Sequence, residues 1–225
     1  VSTAVEGRTA VEECIRSVPA PAPWLSRDRE AALTDRQREI LDQLGHIMEG
    51  GWADLTMADL AARLNCSLRT LYELAPTRDD LVLTVVDRHL WRVGHRATSS
   101  VTGTEVAPLD ALRTYLRAAT VAVSGLSPAF ARDLAAMAAA QRVEDAHNDY
   151  LVAVTRALLD LAVERGEIEP VDTAAVARTM AGLGRDLSRP EVMATLGSPP
   201  KDAADSIVDL LLRGLRGGVT GHEGA

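Results

Sequence analysis

The sequence predicts an all-α fold in two parts, an N-terminal three-helix domain with a helix-turn-helix and a larger C-terminal helical domain. Three observations carry that expectation. Apolar residues recur at helical spacing along most of the chain, and no segment alternates as a half-buried strand would. Side chains suited to capping helices stand before one apolar run after another. Aromatic residues make up only 3% of the chain, so the core must be packed from Ala, Leu and Val. Alanine and leucine are among the best helix formers.

Composition narrows the class of protein. The chain has 225 residues, enough for one or two modest domains with a buried core. It carries 24 basic and 32 acidic side chains, a formal net charge of -8. That balance excludes a polybasic, histone-like coat for nucleic acid. No apolar run approaches the roughly 20 residues of a spanning helix, and no signal peptide is visible, so a cytoplasmic protein is expected. The two cysteines, Cys14 and Cys66, match neither a disulfide framework nor a zinc pattern. Lys201 is the only lysine. Such an arginine bias points to GC-rich coding, as in actinobacteria.

Taken in order, residues 1–30 read as a disordered or extended arm around Pro19-Ala20-Pro21-Ala22-Pro23. Arg8, Arg16, Arg27 and Arg29 could reach a DNA groove, but Glu6, Glu12, Glu13, Asp28 and Glu30 offset them and favour a solvated tail. Thr34 with Gln37 forms a capping box, and Ile40, Leu41, Leu44, Ile47 and Met48 share one face of the helix that follows. Gly50-Gly51 stops it. Thr56 caps a short helix over 57–64, with Asp59 well placed in its first turn. Asn65-Cys66-Ser67 is a tight turn, and Ser67 caps a third helix over 68–74. Pro76 ends it, and Thr77 caps a fourth helix running to about Val93, just before Gly94.

This first domain spans 31–96. A Ser/Thr/Gly-rich break over 98–105 separates it from a second domain, 104–217, and residues 218–225 read as a disordered tail. Helices are expected over 108–124, from Ser127-Pro128 to about Gln141, and from about Glu144 to Arg165 before Gly166. Others run from Asp172 to about Leu187, from the Ser188 to Glu191 capping box to Leu196, and from Pro199-Pro200 to Gly214–Gly218.

The short helices over 57–64 and 68–74, with their three-residue turn, form a helix-turn-helix. Leu60, Ala61 and Leu64 have core-facing spacing, and Leu71 joins them from the third helix. Ser67, Arg69, Thr70 and Tyr72 are then presented to solvent near the start of that helix, the end that enters a major groove in such motifs. An arginine can pair two acceptors on guanine, and hydroxyls suit phosphate oxygens.

Residues 34–93 resemble the DNA-binding domain of the TetR family of bacterial transcriptional regulators. The matching residues are Gly51-Trp52, the run from Leu55 to Ala61, Ser67, Thr70-Leu71-Tyr72, and Pro76-Thr77-Arg78-Asp79-Asp80-Leu81. The resemblance implies a homodimer that binds a palindromic double-stranded DNA operator, acts as a repressor, and is released by a small-molecule effector. It implies phosphate contacts from Thr56, Tyr72 and Arg78, and base contacts from Arg69 and Thr70. Leu68 replaces a usual polar residue and suits a thymine methyl. Two further departures are Ala75, where an aromatic core residue is usual, and Glu73, which would repel phosphate. Cys66 reads as a core filler.

In the second domain the resemblance implies a dimer interface, here assigned to Val176, Met180, Leu183, Ile207, Leu211 and Leu215. Effector contacts are assigned to Tyr115, Phe130, Met137, Gln141, His147 and Tyr150. Few aromatics and much aliphatic surface suit an apolar or amphipathic ligand. Glu144 and His147 have the spacing of a metal-ligating pair, but one pair supplies too few ligands, so no metal or cofactor is expected. No nucleophile elbow or phosphate loop is present, so no enzymatic activity is expected. The alternative reading is a protein-interaction module with a degenerate DNA-binding domain.

Overall fold

A computed structural model describes residues 9–103, 105–123, 127–187 and 189–217. Every regular element among them is an α-helix. The expected tail over 218–225, Arg8 in the arm, and Ser188 of the expected capping box lie outside the described residues. The chain divides into two compact units, one of residues 21–92 and 126–147, the other of 1–20, 93–125 and 148–225.

The first unit is built on the predicted caps. α3 (Asp35–Glu49) starts in a capping box in which Thr34 Oγ1 accepts the Gln37 N–H and the Gln37 side chain accepts the Thr34 N–H. It buries Ile40, Leu41, Leu44 and Met48. α4 (Met57–Arg63) and α5 (Leu68–Leu74) follow, then α6 (Arg78–Ser99). Leu60, Ala61, Leu64, Leu71 and Leu74 join α3 in one core. α6 runs past Gly94, where a helix end was expected. A single glycine costs a helix only about 1 kcal/mol, and Thr98 Oγ1 donates back to the Gly94 carbonyl at 3.1 Å.

α8 (Pro128–Ala136) is capped by Ser127 and carries proline in its first turn. It ends at Met137, whose extended backbone separates it from α9 (Ala138–Glu164). The expected break between Gln141 and Glu144 is therefore four or more residues too late. No glycine or proline marks the real one, and nothing over 141–144 opposes a helix. Phe130 and Leu134 of α8 enter the core of this unit. Ala75 is buried, and the same core holds the rings of Trp52 and Phe130, packed edge-on at 4.8 Å.

The expected arm is corrected by two helices. α1 (Ala10–Ser17) is capped by Thr9, and its Val11 and Ile15 are buried in the core of the second unit. α2 (Arg27–Ala32) belongs to the first unit. The arm looked featureless because each helix is short, with at most two apolar anchors, too few to show a period.

The second unit also contains α7 (Pro108–Val123), α10 (Thr173–Leu187), the short α11 (Pro190–Met193) and α12 (Pro200–Gly217). Leu109, Leu112, Tyr115, Leu158, Leu159, Ala177, Val208 and Leu212 form its core. Ion pairs fasten α7 to α12: Arg113 and Arg117 to Asp209 at 3.0 and 2.7 Å, and Arg216 to Asp110 at 2.8 Å.

Candidate nucleic-acid interface

The helix-turn-helix begins with a local lock. Thr56 Oγ1 accepts the Asp59 N–H at 3.2 Å, and the Asp59 carboxylate accepts the Thr56 N–H at 2.9 Å and its hydroxyl at 2.5 Å. Those bonds from Thr56 hold the Asp59 carboxyl below its ordinary pKa. Thr56 is therefore a helix cap first, with its hydroxyl already in use. The turn between α4 and α5 passes through Asn65 at φ 47°, a conformation that asparagine tolerates well. Cys66 packs against the core, and burial pushes its thiol pKa up. Arg36 caps the end of α4 by donating to the Leu64 carbonyl at 3.2 Å.

α5 offers its outer face. Ser67 caps it, accepting the Thr70 N–H at 3.1 Å, with the two hydroxyls 2.8 Å apart. Leu68 and Tyr72 are large apolar residues left exposed, at 44% and 53%. They lie one turn apart on the same side of the helix. The Arg69 side chain is 88% exposed and pairs with Glu73 at 3.0 Å. The acid expected to repel phosphate thus holds the candidate base-reading arginine.

Arg78 departs from its expected role. Its guanidinium donates to the carbonyls of Leu55 at 2.5 Å and Ala53 at 3.0 Å, and to that of Trp52. It also pairs with Asp79. The fork fastens the loop before α4 and is not free to clamp phosphate while it does so.

Two contacts that sequence reasoning missed support this unit. Asp133 of α8 accepts the N–H groups of Trp52 at 2.5 Å and Ala53 at 2.8 Å. Gly51 fits there because it sits at φ 95°, and a Cβ would lie 3.0 Å from the Ala129 Cβ and 3.1 Å from Asp133. From α2, Arg29 donates to the carbonyls of Glu73 and Leu74 at 3.4 and 3.2 Å, at the end of α5. Arg29 was visible as a charge in the arm, but nothing local gives its target.

The six expected effector contacts are divided between the two units. Phe130 is in the core of the first unit, and Met137 packs against it. Gln141 caps α8 by donating to the Ala135 carbonyl at 2.5 Å. Tyr115 and Tyr150 belong to the core of the second unit, where burial raises both phenol pKa values. His147 Nε2 lies 2.9 Å from Asp87 Oδ1. Among the described residues no cluster of three or more metal-ligating side chains occurs, and no helix is long and apolar enough to cross a membrane.

Of the expected dimer residues, Met180 is buried in the unit's own core, and Val176, Leu183, Leu211 and Leu215 pack partly against it. Ile207 is half-buried. The sequence stripe missed Leu210, 62% exposed. With Val208 and Leu212 pointing inward, helical geometry puts Leu210 on the opposite side of α12.

A helix-turn-helix on a helical body defines the fold class, and solved structures make it particular. The chain superimposes on a TetR transcription regulator from Haloarcula marismortui with a TM-score of 0.69 and 20% identity, over 81% of this chain and 99% of that one. For a tetR-family regulatory protein from Rhodococcus RHA1 the values are 0.60, 19%, 81% and 98%. For the TetR-family regulator PfmR from Thermus thermophilus they are 0.56, 23%, 78% and 98%. No protein-family model and no curated protein matches the sequence. The chain has the fold of the TetR-family transcriptional regulators.

Proposed function

We propose that this protein is a TetR-type transcriptional regulator that binds double-stranded operator DNA. The observation that carries this reading is the outer face of α5. Leu68, Arg69 and Tyr72 stand exposed on a short helix fixed by caps and by long-range arginine bonds at its end. Leu68 suits a thymine methyl, Arg69 and Thr70 base edges, and Tyr72 phosphate oxygens. Arg78 acts by positioning the loop before α4, and Thr56 by capping.

On this reading the protein works as a homodimer through α10 and α12. Val176, Leu183, Ile207, Leu211 and Leu215 contribute to the contact, and Leu210 lies near its centre. Two-fold symmetry sets two copies of α5 about 34 Å apart and calls for a palindromic site. The protein is a repressor, released when an effector prefers the state with the other spacing of α5. A non-enzymatic role in the cytoplasm goes with this reading.

The test is selection of binding sites from random duplex DNA by the full chain, followed by fluorescence anisotropy on the selected duplex. A palindrome with half-sites one turn apart and steeply salt-dependent binding is expected. Recovery of no enriched sequence sinks the proposal. The ion pair between Arg69 and Glu73 favours one rival, a protein-interaction module with a silent reading head. An Arg69→Ala variant separates the two: it loses sequence selectivity if α5 reads DNA.

A further inference from the structure

A cleft of about 160 Å³ opens within the first unit, lined by no residue of α5. Pro21, Ala22 and Trp24 line it from the segment before α2, and Ala139, Val143 and Ala146 from α9. A cavity of about 150 Å³ is enough to hold a benzene ring. The wall is therefore apolar, sized for one ring or a short alkyl chain.

Three polar residues complete the lining: Asp87, His147 and Arg142. Two of them hold each other. Asp87, almost fully buried, accepts the Trp24 N–H through Oδ2 at 2.9 Å and faces His147 Nε2 through Oδ1 at 2.9 Å. The His147 ring stands edge-on to Trp91 at 5.4 Å. Arg142 is different. It is exposed and has no hydrogen bond or ion pair to any described residue. The cleft thus joins an apolar wall to one uncommitted cation, while its only acid is engaged on both oxygens.

We infer that this cleft binds a small monocarboxylate, its carboxylate paired with Arg142 and its ring or short chain against Trp24 and the α9 alanines. A ligand cation would have to displace a partner of Asp87. A dianion would bring a second charge toward Asp87 with only Arg142 to offset it. A neutral molecule of this size would gain no charge-assisted bond from the guanidinium, which water already solvates. Arginine matches a carboxylate with two parallel N–H donors.

The position of the site gives its occupancy a route to α5. Trp24 forms part of the wall, and its own N–H is fastened to Asp87. The next residue on α6, Arg88, pairs with Glu30 of α2, and Arg29 holds the end of α5. A ligand beneath residues 21–24 therefore bears on the segment that positions the recognition helix. This consequence rests on the proposed DNA-binding role, whereas the site itself does not.

The test uses the full chain and isothermal titration with benzoate, hexanoate and benzamide. Saturable binding of benzoate at one molecule per chain is expected, with benzamide about tenfold weaker because a charge-assisted bond is lost. Arg142→Gln should weaken benzoate about tenfold, and Ala146→Phe, which fills the cleft from an exposed position, should abolish binding. The site is overturned if neither benzoate nor hexanoate binds saturably at about 10 mM, the affinity of a poorly efficient ligand of this size. It is equally overturned if benzamide matches benzoate, or if Arg142→Gln changes nothing. Anisotropy on the selected duplex is the second arm. A change in DNA affinity of about twofold or more with benzoate supports the route through α2. Unchanged affinity beside intact benzoate binding overturns that route and leaves the site standing. Absence of DNA binding beside intact benzoate binding overturns the regulator reading alone.

Discussion

The helix-turn-helix and the segment before α3 combine local and long-range bonds in different proportions. From Thr56 to Thr77 the contacts that start each helix are local. Thr56 with Asp59, Ser67 with Thr70 and Thr77 with Asp80 are each three residues apart. From Trp24 to Glu30 one local cap, Ser26 with Arg29, is joined by long-range bonds. Trp24 bonds to Asp87 across 63 residues, Arg29 to Leu74 across 45, and Glu30 to Arg88 across 58. The first region forms its helix starts by itself and takes bonds at the ends of α4 and α5 from Arg36 and Arg29. The second has one short helix with a local cap at Ser26, and it grips residues far along the chain.

The largest effect should come from cutting the deepest of those long-range bonds. Asp87→Ala leaves the Trp24 N–H without its acceptor and His147 without its partner, at a site where both side chains are at least nine-tenths buried. An unsatisfied buried group or broken buried pair costs about 2–4 kcal/mol. Urea unfolding should show that loss, and hydrogen exchange should speed up at Trp24 while the α4 and α5 amides keep their relative protection. If the Trp24 amide exchanges as slowly as in the parent protein, the segment is not held by this bond.

The same contrast explains what could be read from the sequence. The caps at Thr34, Thr56 and Ser67 were legible because a cap is a pattern three residues long, and the structure has all three. The turn residues and the core stripe of α3 and α4 were legible for the same reason. Arg78 was legible as a basic residue at a helix start but not as a buttress. Its acceptors are the carbonyls of Trp52, Ala53 and Leu55, and no residue type announces a carbonyl. Phe130 was expected to face an effector. It lies in the core of the first unit because α8 belongs to that unit, a tertiary fact with no local sign. Leu210 was passed over because the apolar run along α12 is wide enough to cover two faces, and only packing decides which one is inward.

Gly51 tests a position where a local signal has a long-range cause. The Gly51-Trp52 pair was visible in the sequence, yet the reason for glycine is the approach of Ala129 and Asp133 together with φ 95°. Gly51→Ala should cost about 2 kcal/mol, from the strained backbone and from displacement of α8. Asp133→Asn keeps the backbone angle but weakens the bonds to the Trp52 and Ala53 N–H groups, and should cost about 1 kcal/mol. Equal stability losses in the two variants would mean that the bonds to Asp133, not the space, decide the position.

Arg29→Ala separates stability from DNA reading. The guanidinium holds two carbonyls at a partly exposed helix end, so its removal should cost about 1 kcal/mol or less in unfolding. Its effect on the selected operator should be larger than that on non-specific duplex, about fivefold in affinity, because a loosened α5 loses alignment before it loses charge. A uniform drop on both duplexes would instead mark Arg29 as a phosphate contact.

The smallest effect is the one most specific to this chain. Glu73 pairs with Arg69 on an exposed surface, where such pairs are worth about 0.2–1 kcal/mol. Glu73→Gln should leave folding almost unchanged. It should free the Arg69 guanidinium and remove a negative charge beside the phosphates, and affinity for the selected operator should rise about threefold. The rise should shrink as salt is added, because the removed repulsion is screened. On the proposed reading, sequence preference should stay the same, because Arg69 would still face the base. If Glu73→Gln relaxes that preference, Glu73 is orienting Arg69 toward its base. The ion pair would then be part of the reading head, and the acidic residue least expected at a DNA surface would be setting the specificity of the local structure that the sequence showed best.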